Sequence, residues 1–227
     1  MAQCKLCDKK GFFLQVDNNG LCPDCVAMHL SVIVRSSQIV LESGKLIDKT
    51  KNASTRLSRC RVAIEHCEQL SEYHKKGIPT LSVPPEDLIS ELEEIAARTL
   101  EEEVLDAKYQ AEQTFQDATT DAGKLGGFTK AIKSLDSLMQ EVADVAKLEL
   151  AIDDLRTAKD SAAIILKIRK AELLLAQSKK SRAVDQLIEA LHLLRHDRTD
   201  DRRQAELEEK IKSMISSAGA EVPDLLE

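Results

Sequence analysis

The chain contains no tryptophan, and aromatic residues make up only 3% of its 227 positions. Alanine, leucine, glutamate and lysine dominate instead, a mix that favours helices over sheets. Glycine (8) and proline (5) are scarce and clustered, so they act as punctuation. Neither occurs from Phe128 to Ala218, which makes that span helical by default. No apolar run of about eighteen residues is evident, which argues against a membrane span. The opening MAQCKLCDKK lacks the apolar centre of a secretory signal. The expectation is a cytoplasmic protein whose thiols stay reduced.

An excess of positive charge is also missing. The formal net charge of −7 argues against indiscriminate binding to nucleic acid or anionic lipid. There is no glycine-rich phosphate loop, no GxSxG elbow and no HExxH helix. Asp153-Asp154 and Asp200-Asp201 are adjacent acids, and adjacent residues on a helix point to different faces. No catalytic residue is expected, and the chain is read as a non-enzyme.

What is present is a pair of CxxC motifs. Cys4-Lys5-Leu6-Cys7 is followed by fourteen residues and then by Cys22-Pro23-Asp24-Cys25. Each motif can span one edge of a tetrahedron, so two of them complete a four-thiolate set for one structural zinc ion. Four protein ligands leave no open position, which argues against a catalytic metal. Gly11-Phe12-Phe13-Leu14-Gln15-Val16 reads as a strand and Asp17-Asn18-Asn19-Gly20 as a turn, predicting a hairpin between the two ligand pairs. Pro23 and Asp24 suit a first helical turn.

Knuckle, hairpin and ligands at a helix start resemble the treble-clef zinc finger; a zinc ribbon, with the second pair on a strand-flanked turn, is the neighbouring alternative. The stretch CKLCDKKGFFLQVDNNGLCPDC is also similar to short zinc modules that open some bacterial and phage proteins ahead of an unrelated domain, such as a HIRAN domain. That resemblance implies a bacterial or phage origin and carries no activity.

From Pro23 to about Lys76 the pattern reads as one long helix. Its seam runs through Ile39, Leu46, Ala53, Leu57, Cys60, Ile64 and Cys67, with a bend at Gly44. Residues 77–85 form a linker. A second helix follows from Pro85 to about Thr120, with Ile89, Leu92, Ala96, Leu100, Val104, Ala107, Ala111 and Phe115 on one face and Gly123, Gly126 and Gly127 closing it. The two helices are expected to pack as an antiparallel hairpin over 26–122, because the linker is short. Their charge runs are complementary: Lys45, Lys49, Lys51, Arg56, Arg59 and Arg61 against Glu86 to Asp106.

Residues 128–217 read as further helices, with joints at 159–161, 178–181 and 197–200, and a frayed tail over 218–227. Within this block Ala171, Leu174, Ala183, Leu187 and Ala190 resemble one tetratricopeptide-type helical hairpin. The Trp and Gly of that family are missing, so alanines at an ordinary helix crossing explain the same pattern. Cys60 and Cys67 read as core residues. His66 and His74, and His192 with His196, read as ordinary helix residues.

The sequence thus predicts a mainly α protein: a zinc-binding β-hairpin module over 1–30, long helices, and a C-terminal helical bundle or repeat-like array. The function it favours is zinc-stabilised binding of another protein. A homodimer is expected from the long seam, and no membrane partner is. The alternative is a nucleic-acid-associated factor that uses the zinc module and the basic stretch 45–61.

Overall fold

A computed structural model describes residues 1–142, 144–196 and 201–222, and the protein is mainly α. It divides into two units. Unit 1 comprises Met1–Glu103 with Leu138–Asp144, and unit 2 comprises Val104–Ser137 with Val145–Glu227.

Unit 1 opens with an antiparallel pair, β1 (Ala2–Gln3) and β2 (Lys10–Gly11), in the register Ala2↔Gly11 and Gln3↔Lys10. A continuous helical stretch follows: α1 (Pro23–Cys25), a π-helical turn (Val26–Leu30) and α2 (Ser31–Lys49). Thr50 and Asn52 are extended, and the Asn52 side chain accepts from the Thr55 N–H at 2.8 Å as the N-cap of α3 (Ala53–Lys75). The expected single helix over 23–76 is therefore two helices, which turn back on each other at 50–52. Ser36 Oγ lies 3.1 Å from His66 Nδ1 and donates to Gln69 Oε1 at 3.3 Å, a pairing that requires antiparallel arms.

The break also changes which residues of α2 are buried. Ile33, Ser36, Val40, Ser43 and Ile47 face α3, at steps of three and four. Ile33, Val40 and Ile47 among them meet Cys60, Ala63, Cys67 and Leu70 in one core. Ile39 is only half-buried, and Leu46 is 41% exposed. The reason is rotational: the α2–α3 contact needs one stripe, and the stripe through Ile39 and Leu46 lies beside it.

Arg61 pairs with Glu65 and with Glu141, both at 3.3 Å, and Arg56 donates to the Thr50 carbonyl. Ile78 of the linker and Leu92 of α4 (Pro85–Asp117) join the core, with Leu88, Ile89, Ile95 and Ala96 packed on it.

By length and composition, Pro23–Lys49 is apolar enough to cross a membrane: its eighteen-residue window has a mean hydropathy of 1.2 and is 22% buried. The expectation that no such run exists is corrected here. From Val26 to Gly44 the only charged residues are Arg35 and Glu42.

Unit 2 takes the later part of α4, then α5 (Asp121–Asp136), α6 (Ala146–Ala176), α7 (Lys180–His196) and α8 (Asp201–Ser217). The glycines expected to end α4 lie inside α5. The helix instead breaks before them, where Thr120 caps α5 by accepting from Gly123 N–H. A Cβ on Gly127 would sit 2.6 Å from Thr114 Cβ, whereas one on Gly126 would meet nothing within 4 Å. Gly127→Ala is therefore expected to cost about 1–3 kcal/mol by forcing α5 off α4. Gly126→Ala should gain up to about 1 kcal/mol from helix propensity. Denaturant unfolding of the two variants measures the contrast.

The joint expected at 159–161 is helical within α6, since Lys159, Asp160 and Ser161 sit as readily on a helix flank as at its end. The joint at 178 is real, with Ser178 left-handed at φ 59; the one at 197–200 lies outside the described residues. Ala171, Ala183, Leu187 and Ala190 are all fully buried where α6 meets α7, as close helix crossing requires. The tail expected to fray from 218 is closed instead. Ala220 N–H donates to the Ile215 carbonyl, Gly219 has φ 86, and Ala220 and Val222 pack on the core. Residues 223–227 lie outside the described residues.

Candidate metal centre

The first ligand pair sits in a knuckle closed by β1 and β2. Cys4 N–H donates to the Lys9 carbonyl and Asp8 N–H to the Cys4 carbonyl. Residues 12–16, expected as a strand, leave the ladder after Gly11, because pairing closes across the knuckle rather than across the turn at 17–20. That turn does form. Asp17 Oδ1 accepts from Asn19 N–H at 3.0 Å and Leu21 N–H at 2.8 Å. Gly20 adopts φ 82, and a Cβ there would lie 2.7 Å from Lys5 Cδ. Lys5 N–H donates to the Gly20 carbonyl, which draws the turn onto the knuckle.

The second pair starts a helix: Cys22 is the N-cap of α1, with Pro23 in its first turn. Cys4, Cys22 and Cys25 are buried and Cys7 is exposed, and their four sulfur atoms all lie within 4.8 Å of one another. Cys7 Sγ and Cys22 Sγ are 3.8 Å apart. A tetrahedral ion with metal–sulfur bonds of about 2.3 Å needs sulfur–sulfur edges of about 3.8 Å. The four residues predicted from spacing are thus brought together at a separation that fits a metal ion, and none is in a disulfide.

The thiols perturb one another as a crowded set must. Burial pushes the Cys4 thiol up, but backbone N–H groups of Cys7, Cys22 and Leu6 outweigh it and bring it down to about 6. Cys25 is pushed strongly up, by burial first and then by the neighbouring sulfurs. Four thiolates cannot share so small a volume without a cation, so the same crowding that opposes ionisation favours a divalent ion.

The module is built into the core of unit 1. Leu21, Cys4, Cys22 and Cys25 share one buried cluster with Leu70 and Ile78. Lys5 Nζ donates to the Gly77 carbonyl at 2.7 Å, and Lys76 Nζ donates to the Leu6 carbonyl at 3.2 Å. His29, on the π-helical turn, meets Tyr73 edge-on with its Nδ1 3.1 Å from the phenol oxygen. That contact was not foreseen, because a π-turn has no sequence signature of its own.

Phe12 and Phe13 project from the knuckle, 83% and 95% exposed, with ring centroids 6.2 Å apart.

The remaining candidates stay apart from the centre. Cys60 and Cys67 are 1% and 0% exposed in the α2–α3 core. Burial raises both thiols, Cys67 to about 11 with Glu86 adding to it. Thiol titration of the native protein at neutral pH should therefore leave these two unmodified, and denaturant should release them. Reaction before unfolding would contradict this packing. The His192 and His196 rings are 4.4 Å apart on the exposed side of α7. Among the described residues, only the four-cysteine group brings three or more metal-ligating side chains together. No family model, curated protein or solved structure matches the chain.

Proposed function

We propose that the chain is a non-enzymatic, zinc-stabilised helical protein whose role is to bind another protein. The observation that carries this reading is the closed four-sulfur site fused to the core of unit 1. Zinc is the ion because it accepts a tetrahedral four-thiolate shell and brings no redox chemistry. The shell would be complete with Cys4, Cys7, Cys22 and Cys25, so the metal would hold the knuckle to α1 and activate no substrate. The knuckle and helix-start ligands support the treble-clef arrangement over the ribbon.

A partner surface is available where apolar side chains remain in solvent, at Phe12 and Phe13 and along α2. The nucleic-acid reading is weaker, since Arg61 is engaged by Glu65 and Glu141 and Arg56 by a carbonyl. Native mass spectrometry of the chain purified without added metal tests the reading. One zinc per chain, removed by a strong chelator with loss of protease resistance in unit 1, is expected. A metal-free chain with the same resistance would overturn it.

A further inference from the structure

The most apolar helical stretch of the chain is mostly in solvent. Alongside its face towards α3, Pro23–Lys49 carries a second stripe at 28, 32, 35, 39, 42 and 46, with steps of 4, 3, 4, 3 and 4. Met28, Val32 and Leu46 on it are 62%, 41% and 41% exposed, Ile39 is half-buried, and Arg35 and Glu42 are exposed between them. Steps of this kind define a coiled-coil seam. Among the described residues, all of the stripe but Ile39 stays exposed, and neither Arg35 nor Glu42 has an ion-pair partner.

The spacing of the stripe is the same in both chain directions. Laid antiparallel on a copy of itself about a two-fold axis level with Ser37, Met28 meets Leu46, Val32 meets Glu42 and Arg35 meets Ile39. Each residue of the stripe thus falls opposite another residue of the stripe. The same alignment offsets Arg35 from the partner's Glu42 by three residues, about 4.5 Å along the axis, within reach of a long guanidinium side chain. Symmetry repeats that pair, so the dimer holds two of them and every one of the four charges has a partner.

We propose that this stripe is an isologous interface with a second copy of the chain, in which two α2 helices cross antiparallel. This rests on the reading of the chain as an interaction protein and names its partner. A bilayer could also cover an apolar helix, but it would leave Arg35 and Glu42 in hydrocarbon without a counter-charge, whereas a second copy supplies one to each. One helix per chain makes a small interface, so the dimer belongs in the micromolar range.

Sedimentation equilibrium of the full chain, purified with zinc present, should show a mass rising with concentration from 25.2 kDa towards twice that value. Arg35→Glu and Glu42→Arg alone should each raise the dissociation constant roughly tenfold or more, and together they should restore it. Leu46→Glu should abolish the dimer, with circular dichroism checking that each exposed substitution leaves the fold intact. A chain that stays monomeric at every concentration, a dimer indifferent to the charge swaps, or a monomer that sediments with anionic phospholipid vesicles would overturn the proposal. If the monomer still carries one zinc, the metal-centre reading stands and only the dimer is lost.

Discussion

Cys22→Ser is expected to abolish metal binding and to destabilise unit 1 while leaving unit 2 folded. Structural zinc in small fingers contributes about 10–16 kcal/mol of apparent binding free energy. Losing even part of that is large beside the roughly 5–15 kcal/mol by which ordinary domains are stable. Cys22 occupies three positions at once: one of the four clustered sulfurs, the N-cap of α1, and a backbone donor to Cys4 Sγ at 3.3 Å. Serine keeps the cap but not the thiolate, so the substitution isolates the metal's contribution. Hydrogen exchange should quicken in the knuckle and in α2 and α3, whose buried residues share the ligands' core. The core around Leu187 contains no residue of the module and should keep its protection. A variant that still holds one ion, with exchange unchanged, would remove Cys22 from the site.

Leu187→Ala is the counterpart in unit 2 and should cost about 2–5 kcal/mol. Leu187 is fully buried among Ile164, Ile168, Ala183, Leu191, Ile211 and Ile215, where α6, α7 and α8 meet. Alanines close the helices around it, leaving little freedom to collapse into the cavity. Leu173→Ala on α6, at a position 65% exposed, should stay within about 0.5 kcal/mol. Denaturant unfolding of both variants reads the difference, and equal effects would show that this crossing is not the centre of the unit.

The four-cysteine cluster was legible in the sequence because its determinants are local. Two CxxC turns at a short separation need no knowledge of the rest of the chain to be read as one ligand set. Helical class was legible for a similar reason, being a property of composition. The turn at 50–52 was not, because Thr50 and Lys51 are tolerated inside helices and only Asn52, three residues before Thr55, carries a capping signal. Gly127 was misread as a stop because glycine serves both to end helices and to let them approach, and sequence alone cannot separate the two. The seam through Ile39 and Leu46 was seen as a pattern, but the face of α2 that meets α3 lies one residue along, through Val40 and Ile47. Periodicity reports that a face is apolar, not what lies against it.

The clasp between the knuckle and the end of α3 has a consequence for the order in which unit 1 assembles. The ligand pairs lie within one short loop, and α2 meets α3 across a three-residue turn, so both closures are entropically cheap and fast. Lys5 reaches Gly77 across 72 residues, and His29 reaches Tyr73 across 44. These are slow, non-local contacts, yet both become nearly local once the knuckle is fixed to α1, as a bound metal would fix it, and the α2–α3 hairpin has formed. Metal capture on the proposed site would thus shorten the effective separation of the knuckle's contacts with the end of α3, such as Lys5 with Gly77. A chain refolding with zinc present should reach the native state faster, as well as more stably, than one to which zinc is added last.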